Sequence, residues 1–154
     1  MKKCLCLILL LAQLSIGCSK SVKKPIILNS DIENGLIEYW ESNADKQERR
    51  NLPLCLSLYE YNNVNRVGIS FTQIYSYHDI KGLFYLDTIP VFLEIEAKFK
   101  NKILQNKVFE NADFEKLKEN QIEFIENNNE DVSDSFDSPT FLYEIHADGL
   151  KRVR

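Results

Sequence analysis

Glycine and histidine are scarce in this 154-residue chain, which contains five glycines and two histidines. Loops that cradle phosphates or dinucleotides need several glycines at fixed spacing, and no such motif is present. The sequence also lacks the paired-histidine helix of zinc proteases and the nucleophile turn of serine hydrolases. We therefore predict a non-enzymatic protein without a cofactor or a bound metal.

Cysteine and basic residues are also limited. Cys55 is the only cysteine after residue 18, so no disulfide is expected within the rest of the chain, and a domain of this length does not need one. Acidic residues outnumber basic ones by 23 to 19, which gives a net charge of −4. This balance lacks the basic footprint of nucleic-acid binding, and we predict no nucleic-acid partner.

Long apolar runs are absent apart from residues 5–12 near the N-terminus. This run is too short for a membrane-spanning helix, which needs about 20 predominantly apolar residues. Lys2 and Lys3 precede it, and the small residue Gly17 follows it immediately before Cys18. The order of charge, apolar run and small residue predicts an export signal over residues 1–17.

The residues around this predicted cleavage site resemble the lipobox of bacterial lipoproteins. The sequence is Leu14-Ser15-Ile16-Gly17-Cys18, in which Gly17 and Cys18 match the family pattern and the leucine stands one position early. The resemblance implies that Cys18 is lipidated with a palmitate-type acyl chain, becomes the new N-terminus and anchors the protein to a cell membrane. A serine rather than an aspartate at position 19 implies the outer membrane, facing the periplasm.

The chain after the lipidated cysteine is predicted to consist of a tether, residues 18–29, and one domain, residues 30–154. Lys20, Lys23 and Lys24 lie close to the anchor, and Pro25 discourages a helix there. Basic residues beside a lipid favour anionic head groups, although the same pattern is typical of a solvated linker.

Two segments have helical periodicity. Ser30 and Glu33 form a capping-box pattern, and apolar residues then recur every four positions, which predicts a helix over residues 31–47. A second helix is predicted over residues 112–126, with Asn111 as its N-cap.

Between and after these helices, apolar and polar residues alternate with the period of two that is typical of strands. Strands are expected at residues 52–59, 67–71, 83–86 and 91–99, with turns at 62–65, 78–82 and 87–90 and a bulge near residues 72–73. Residues 140–153 indicate a C-terminal hairpin around Asp148-Gly149. The pattern predicts an α+β fold, in which an N-terminal and a second helix pack on one face of a mostly antiparallel, curved sheet.

Several residues could carry chemistry. Cys55 with His78 and Asp79, or with His146 and Asp148, could form a thiol nucleophile with a base, and the same histidines and acids could hold a metal. The neutral interpretation is a buried cysteine in an apolar strand and polar residues in turns, and we favour it.

The acidic stretch over residues 110–137 suggests calcium. An EF-hand loop that begins at Asp131 would need glycine at position six and glutamate at position twelve. Those positions are Phe136 and Leu142, so the pattern fails. A solvated helix face and an acidic loop is the preferred interpretation, and an acidic surface for a basic partner is the alternative.

Tyrosines are frequent in the predicted sheet and fall opposite the leucines. Tyr59, Tyr61, Tyr75 and Tyr77 would either pack beneath a helix or form an exposed patch for a protein or a glycan. We therefore expect a membrane-anchored envelope lipoprotein that binds another envelope protein. A small-ligand or glycan binder and a cysteine–histidine hydrolase are the alternatives.

Overall fold

A computed structural model describes residues 24–43, 52–72, 79–99, 101–128 and 140–154. In these ranges the helices are α1 (Ser30–Asn43), α2 (Lys102–Gln105) and α3 (Phe114–Asn127). The strands are β1 (Ile27–Leu28), β2 (Leu54–Tyr61), β3 (Val64–Phe71), β4 (Ile80–Leu86), β5 (Ile89–Ile95), β6 (Phe109–Glu110), β7 (Phe141–His146) and β8 (Gly149–Arg152). The predicted signal peptide and Cys18 lie outside the described residues.

Six strands form the main sheet, in the order β4-β5-β2-β3-β7-β8, and β1 pairs with β6 in a second, two-stranded sheet. Every pairing is antiparallel except that of β2 with β5, which is parallel. The predicted α+β class with a mostly antiparallel sheet is confirmed. The parallel pair arises because the β4–β5 hairpin returns beside β2, with β5 inside and β4 at the edge.

The inner face of the sheet carries the main core. It is formed by the alternating leucines of β2 and by buried residues of the other strands, and α1 packs against it through Ile32, Leu36 and Tyr39. Gly35 lets this helix approach β7, because a Cβ at this position would lie 3.0 Å from the Cζ atom of Tyr143. A glycine that weakens the isolated helix is therefore required by its packing.

The outer face carries a smaller cluster, formed by Cys55, Leu83 and Phe92. Helix α3 runs beside edge strand β4 and reaches this face through Phe124, whose ring meets that of Phe92 edge-on at 5.6 Å between centroids. Leu117 of the same helix is fully buried in the main core. The second predicted helix, α3, thus covers the edge of the sheet and part of its outer face. The sequence predicted that both helices pack on one face only.

The helix starts differ from the predicted caps. At α1, the Asn29 side chain accepts from the Asp31 amide at 2.8 Å, and the Glu33 amide donates to the backbone carbonyl of Asn29. At α3, the N-cap is Asp113, whose side chain accepts from the Lys116 amide, and the predicted cap Asn111 has φ of 51°. Both errors have one cause: neighbouring Asn, Asp and Ser residues are nearly equivalent as caps.

The β4 region also corrects the prediction. Residues 80–82 belong to the strand rather than to a turn, with a register shift between Ile80 and Gly82. The following turn is confined to Asp87 and Thr88, so Ile89 already pairs with Leu86. Strand β5 then ends at Ile95, four residues short of the predicted end. Gly82, with φ of +144°, lets β4 begin at Ile80, before its predicted start at residue 83.

The N-terminal side of the domain begins before residue 30. Ile26 is buried, and β1 pairs with β6, so residues 26–28 are part of the fold rather than of a free tether. The Pro25 carbonyl accepts a hydrogen bond from the Asp113 amide at 2.7 Å. Across the described ranges, no helix combines the length and the apolar character needed to cross a bilayer.

Candidate functional site

A tight hairpin between β2 and β3 positions the two described tyrosines of the predicted patch. Asn62 and Asn63 both have positive φ, 52° and 62°, as a type I′ turn requires. This turn fixes the register, so Tyr59 lies opposite Arg66, and Tyr61 lies on the same, outer face. The predicted partners Tyr75 and Tyr77 lie outside the described residues.

Arg66 is the centre of this surface. Its Nη2 atom donates to Oε1 of Glu144 on β7 at 3.0 Å, and both side chains are 22% exposed. Its Cζ atom lies 5.1 Å from the centroid of the Tyr61 ring, within the range of a cation–π contact. We call Tyr59, Tyr61, Arg66, Glu144 and His146 the Arg66 cluster.

The two tyrosines of the cluster differ in exposure. Tyr61 is 55% exposed, whereas Tyr59 is half-buried and its ring lies over Gly68, where a Cβ would come within 3.5 Å of it. Burial raises the pKa of Tyr59, and the charge of Arg66 partly offsets that rise. Of the two described tyrosines in the predicted patch, Tyr61 is therefore the exposed one.

The remaining contacts of the cluster surround Glu144. Its Oε2 atom lies 3.5 Å from Nε2 of His146, a contact that becomes an ion pair when the histidine is protonated. The Nε atom of Arg66 is buried and has no hydrogen-bond partner within the described ranges. A buried donor without a partner costs about 1–3 kcal/mol.

A second polar group lies on the same face, nearer the middle of the sheet. Ser57 Oγ donates to Glu94 Oε2 at 2.6 Å, and Cys55 Sγ lies 3.2 Å from Ser57 Oγ. Burial, with the nearby Glu94 charge as a smaller cause, raises the pKa of the Cys55 thiol to about 12 against an opposing hydrogen bond with Ser57. A thiolate nucleophile needs the opposite environment.

The raised pKa predicts that the Cys55 thiol reacts slowly in the folded protein. At pH 8 the thiolate fraction falls by about 1,000-fold between an ordinary pKa of 9.0 and one of about 12. We expect alkylation by iodoacetamide to be slower by at least this factor in native protein than in urea-unfolded protein, with Cys18 lipidated or replaced by alanine. Mass spectrometry of the labelled peptide measures both rates.

A Tyr61→Cys variant is the matched control, because its exposed thiol should label rapidly in the same folded molecule. Equal labelling of Cys55 in native and unfolded protein would contradict the raised pKa of its thiol.

The raised pKa of Cys55 also predicts how stability depends on pH. The unfolded thiol ionises above pH 9, while the folded thiol keeps its proton until about pH 12. Wild-type protein should therefore lose stability relative to Cys55→Ala as the pH rises through this window.

The other candidates for chemistry are not brought together. Cys55 pairs with Ser70, whereas Arg66 pairs with Glu144, so His146 lies near the far end of the strands from the cysteine, roughly 20 Å away at 3.3 Å per residue. His78 and Asp131 lie outside the described residues. In the described part of the chain, no group of three or more His, Cys, Asp or Glu side chains could hold a metal ion.

Comparisons with known proteins give no relative: no family model, no curated protein and no solved structure matches this chain.

Sequence reasoning missed the central residues of the site. Arg66, Glu144 and Glu94 were not predicted, because an isolated charge in a strand is usually solvated. A signal was nevertheless present: a two-residue Asn-Asn turn sets the hairpin register and so places Arg66 opposite Tyr59.

Proposed function

We propose that this chain is a lipid-anchored envelope protein whose domain binds another protein through the Arg66 cluster. The anchor is proposed on the export signal over residues 1–17 and on the lipobox-like residues that end at Cys18. Attachment of more than one acyl chain would hold the domain at the membrane without burying any of its own residues, because each buried CH₂ contributes about 0.8 kcal/mol. The outer membrane, facing the periplasm, is the proposed location.

The observation that carries the binding proposal is an exposed tyrosine backed by a fixed arginine. Tyr61 is 55% exposed, and Arg66 lies against its ring while Glu144 holds the guanidinium. Tyrosine and arginine are enriched among the residues that dominate binding energy at protein interfaces. Side chains that are already held in place lose little conformational entropy when a partner binds, which favours affinity.

Binding is favoured over thiol catalysis by the chemistry of the described residues. The Cys55 thiol is buried, its pKa is about 12, and His146 is remote along the strands. The Arg66 cluster, in contrast, presents a neutralised ion pair beside an aromatic ring, an arrangement suited to a protein surface with its own aromatic and polar groups.

The test is capture of a partner from intact cells. The protein is expressed with its own signal and a C-terminal tag, cells are cross-linked with formaldehyde, and proteins recovered from the membrane fraction are identified. We expect one near-stoichiometric protein, whose recovery falls by at least about tenfold in Tyr61→Ala, as for loss of an interface hot spot.

Ile103→Ala is the matched control, because Ile103 is 73% exposed on α2 and its truncation also removes apolar surface. It should leave recovery unchanged. Recovery of abundant membrane proteins alone, or equal recovery with Tyr61→Ala, would contradict the binding proposal. A Cys18→Ala variant should leave the membrane fraction, and its retention there would contradict the anchor.

A further inference from the structure

A shallow groove lies at the point where the N-terminal segment enters the domain. Ile27 and Tyr85, on its walls, are 48% and 49% exposed, and Lys24 and Pro25 border it. The remaining walls come from Ile26, Leu28, Glu33, Phe84 and Leu86. An exposed isoleucine beside an exposed tyrosine is a small apolar and aromatic surface that faces solvent.

Chain length ties this groove to the proposed anchor. Five residues separate Cys18 from Lys24 in the sequence. Six Cα-to-Cα steps span at most about 20 Å when fully extended. A lipid on Cys18 therefore holds Lys24, and the groove beside it, within about 20 Å of the lipid attachment point.

The chemistry of the groove suits the head-group region of a bilayer. Tyrosine concentrates at membrane interfaces because its ring is apolar and its hydroxyl remains hydrated, and isoleucine contributes apolar area. The charges near the groove do not attract anionic lipid, because Lys24 is paired with Glu33 at 3.7 Å and Glu123, near Tyr85, adds a negative charge. Contact with lipid would thus depend on apolar burial rather than on attraction to anionic lipid.

We propose that the groove between Ile27 and Tyr85 is the membrane-facing surface of the anchored domain, seated on the phospholipid head-group region. This inference rests on the proposed lipid anchor at Cys18. A small contact is sufficient, because the anchor makes it intramolecular and raises the effective concentration of the bilayer at the groove.

A groove in contact with the bilayer fixes how the strands of the sheet are oriented relative to the membrane. Tyr85 pairs with Pro90 at one end of the strands, and the next residue, Val91, pairs with Leu54 at the start of β2. Tyr61 ends β2, and at 3.3 Å per residue it lies roughly 25 Å further along the strand direction. The Arg66 cluster is therefore presented at the end of the sheet remote from the bilayer, where a partner can reach it.

The test uses spin labels on the lipidated protein in vesicles of phosphatidylethanolamine and phosphatidylglycerol. A nitroxide is attached to Ile27→Cys or Tyr85→Cys, with Tyr61→Cys as the matched control at the remote end. Cys55 does not compete for the label, because burial keeps its pKa at about 12. Collision with a water-soluble nickel chelate then measures how far each label is shielded by lipid.

We expect labels at positions 27 and 85 to be at least about threefold less accessible to the chelate than the label at 61. The difference should persist from low to high salt, because apolar contact is not screened. Equal accessibility in protein that sediments with the vesicles would overturn the seating while leaving the anchor intact. Protein that fails to sediment would instead overturn the anchor, and the seating with it.

Discussion

Replacement of Gly82 by alanine should lower the free energy of unfolding by about 3–5 kcal/mol, because the added Cβ both strains the backbone and clashes with α3. Gly82 has φ of +144°, a backbone conformation that residues with a Cβ rarely adopt. A Cβ there would also lie 2.5 Å from the Cβ of Leu117 and 2.6 Å from its carbonyl oxygen. The backbone of α3 would have to move away from edge strand β4.

Gly149→Ala separates the two costs. Gly149 has almost the same φ, +146°, but a Cβ there would meet no atom within 4 Å. It should therefore show the backbone cost alone, about 1–3 kcal/mol. Urea unfolding followed by the fluorescence of Trp40 measures both variants. Equal losses in the two variants would show that close packing of α3 on β4 contributes nothing at Gly82.

The class of fold followed from periodicity. Alternation of apolar and polar residues predicted β2 and β3, and the helical repeat predicted α1 and α3. These segments are amphipathic because one side faces a core, so the sequence records their burial directly. A turn was also predicted, over residues 62–65, and the structure confines it to Asn62 and Asn63, with Val64 already in β3. Asparagine tolerates the positive φ that such a two-residue hairpin needs.

The pairing of β2 with β5 and the position of α3 could not be predicted from the sequence. Both depend on contacts between distant segments, such as Phe124 with Phe92. The same limit applied to Gly35, which the sequence showed only as a weak helix former. Its value is tertiary, because it admits the Tyr143 side chain beside α1.

The sequence predicted part of the candidate site. Tyr59 and Tyr61 were predicted to share a face, and they do so because strand side chains alternate. The difference in their exposure comes from neighbours on other strands: Arg66 against Tyr61, and Gly68 beneath Tyr59. A pattern within one strand cannot show which of its residues a neighbouring strand will cover.

Truncation of Leu117 to alanine should lower the free energy of unfolding by about 2–5 kcal/mol, the range for buried leucines. Leu117 is fully buried and is the one buried side chain of α3. Beyond it, the helix is held by a hydrogen bond from Asn120 Nδ2 to the Leu83 carbonyl and by the ring of Phe124. Loss of this leucine should therefore loosen the helix from β4.

A loosened α3 should also uncover the outer-face cluster that contains Cys55. We expect iodoacetamide to label Cys55 in native Leu117→Ala protein at least about tenfold faster than in wild type, because local opening becomes more frequent. Ile122→Ala is the matched control: Ile122 is 50% exposed on the same helix, so its truncation should cost less than about 0.5 kcal/mol and leave labelling unchanged. If both variants were equally stable and Cys55 were labelled equally slowly in both, Leu117 would not be what holds α3 against β4. Faster labelling in Leu117→Ala alone would show that this helix is what keeps the thiol away from solvent.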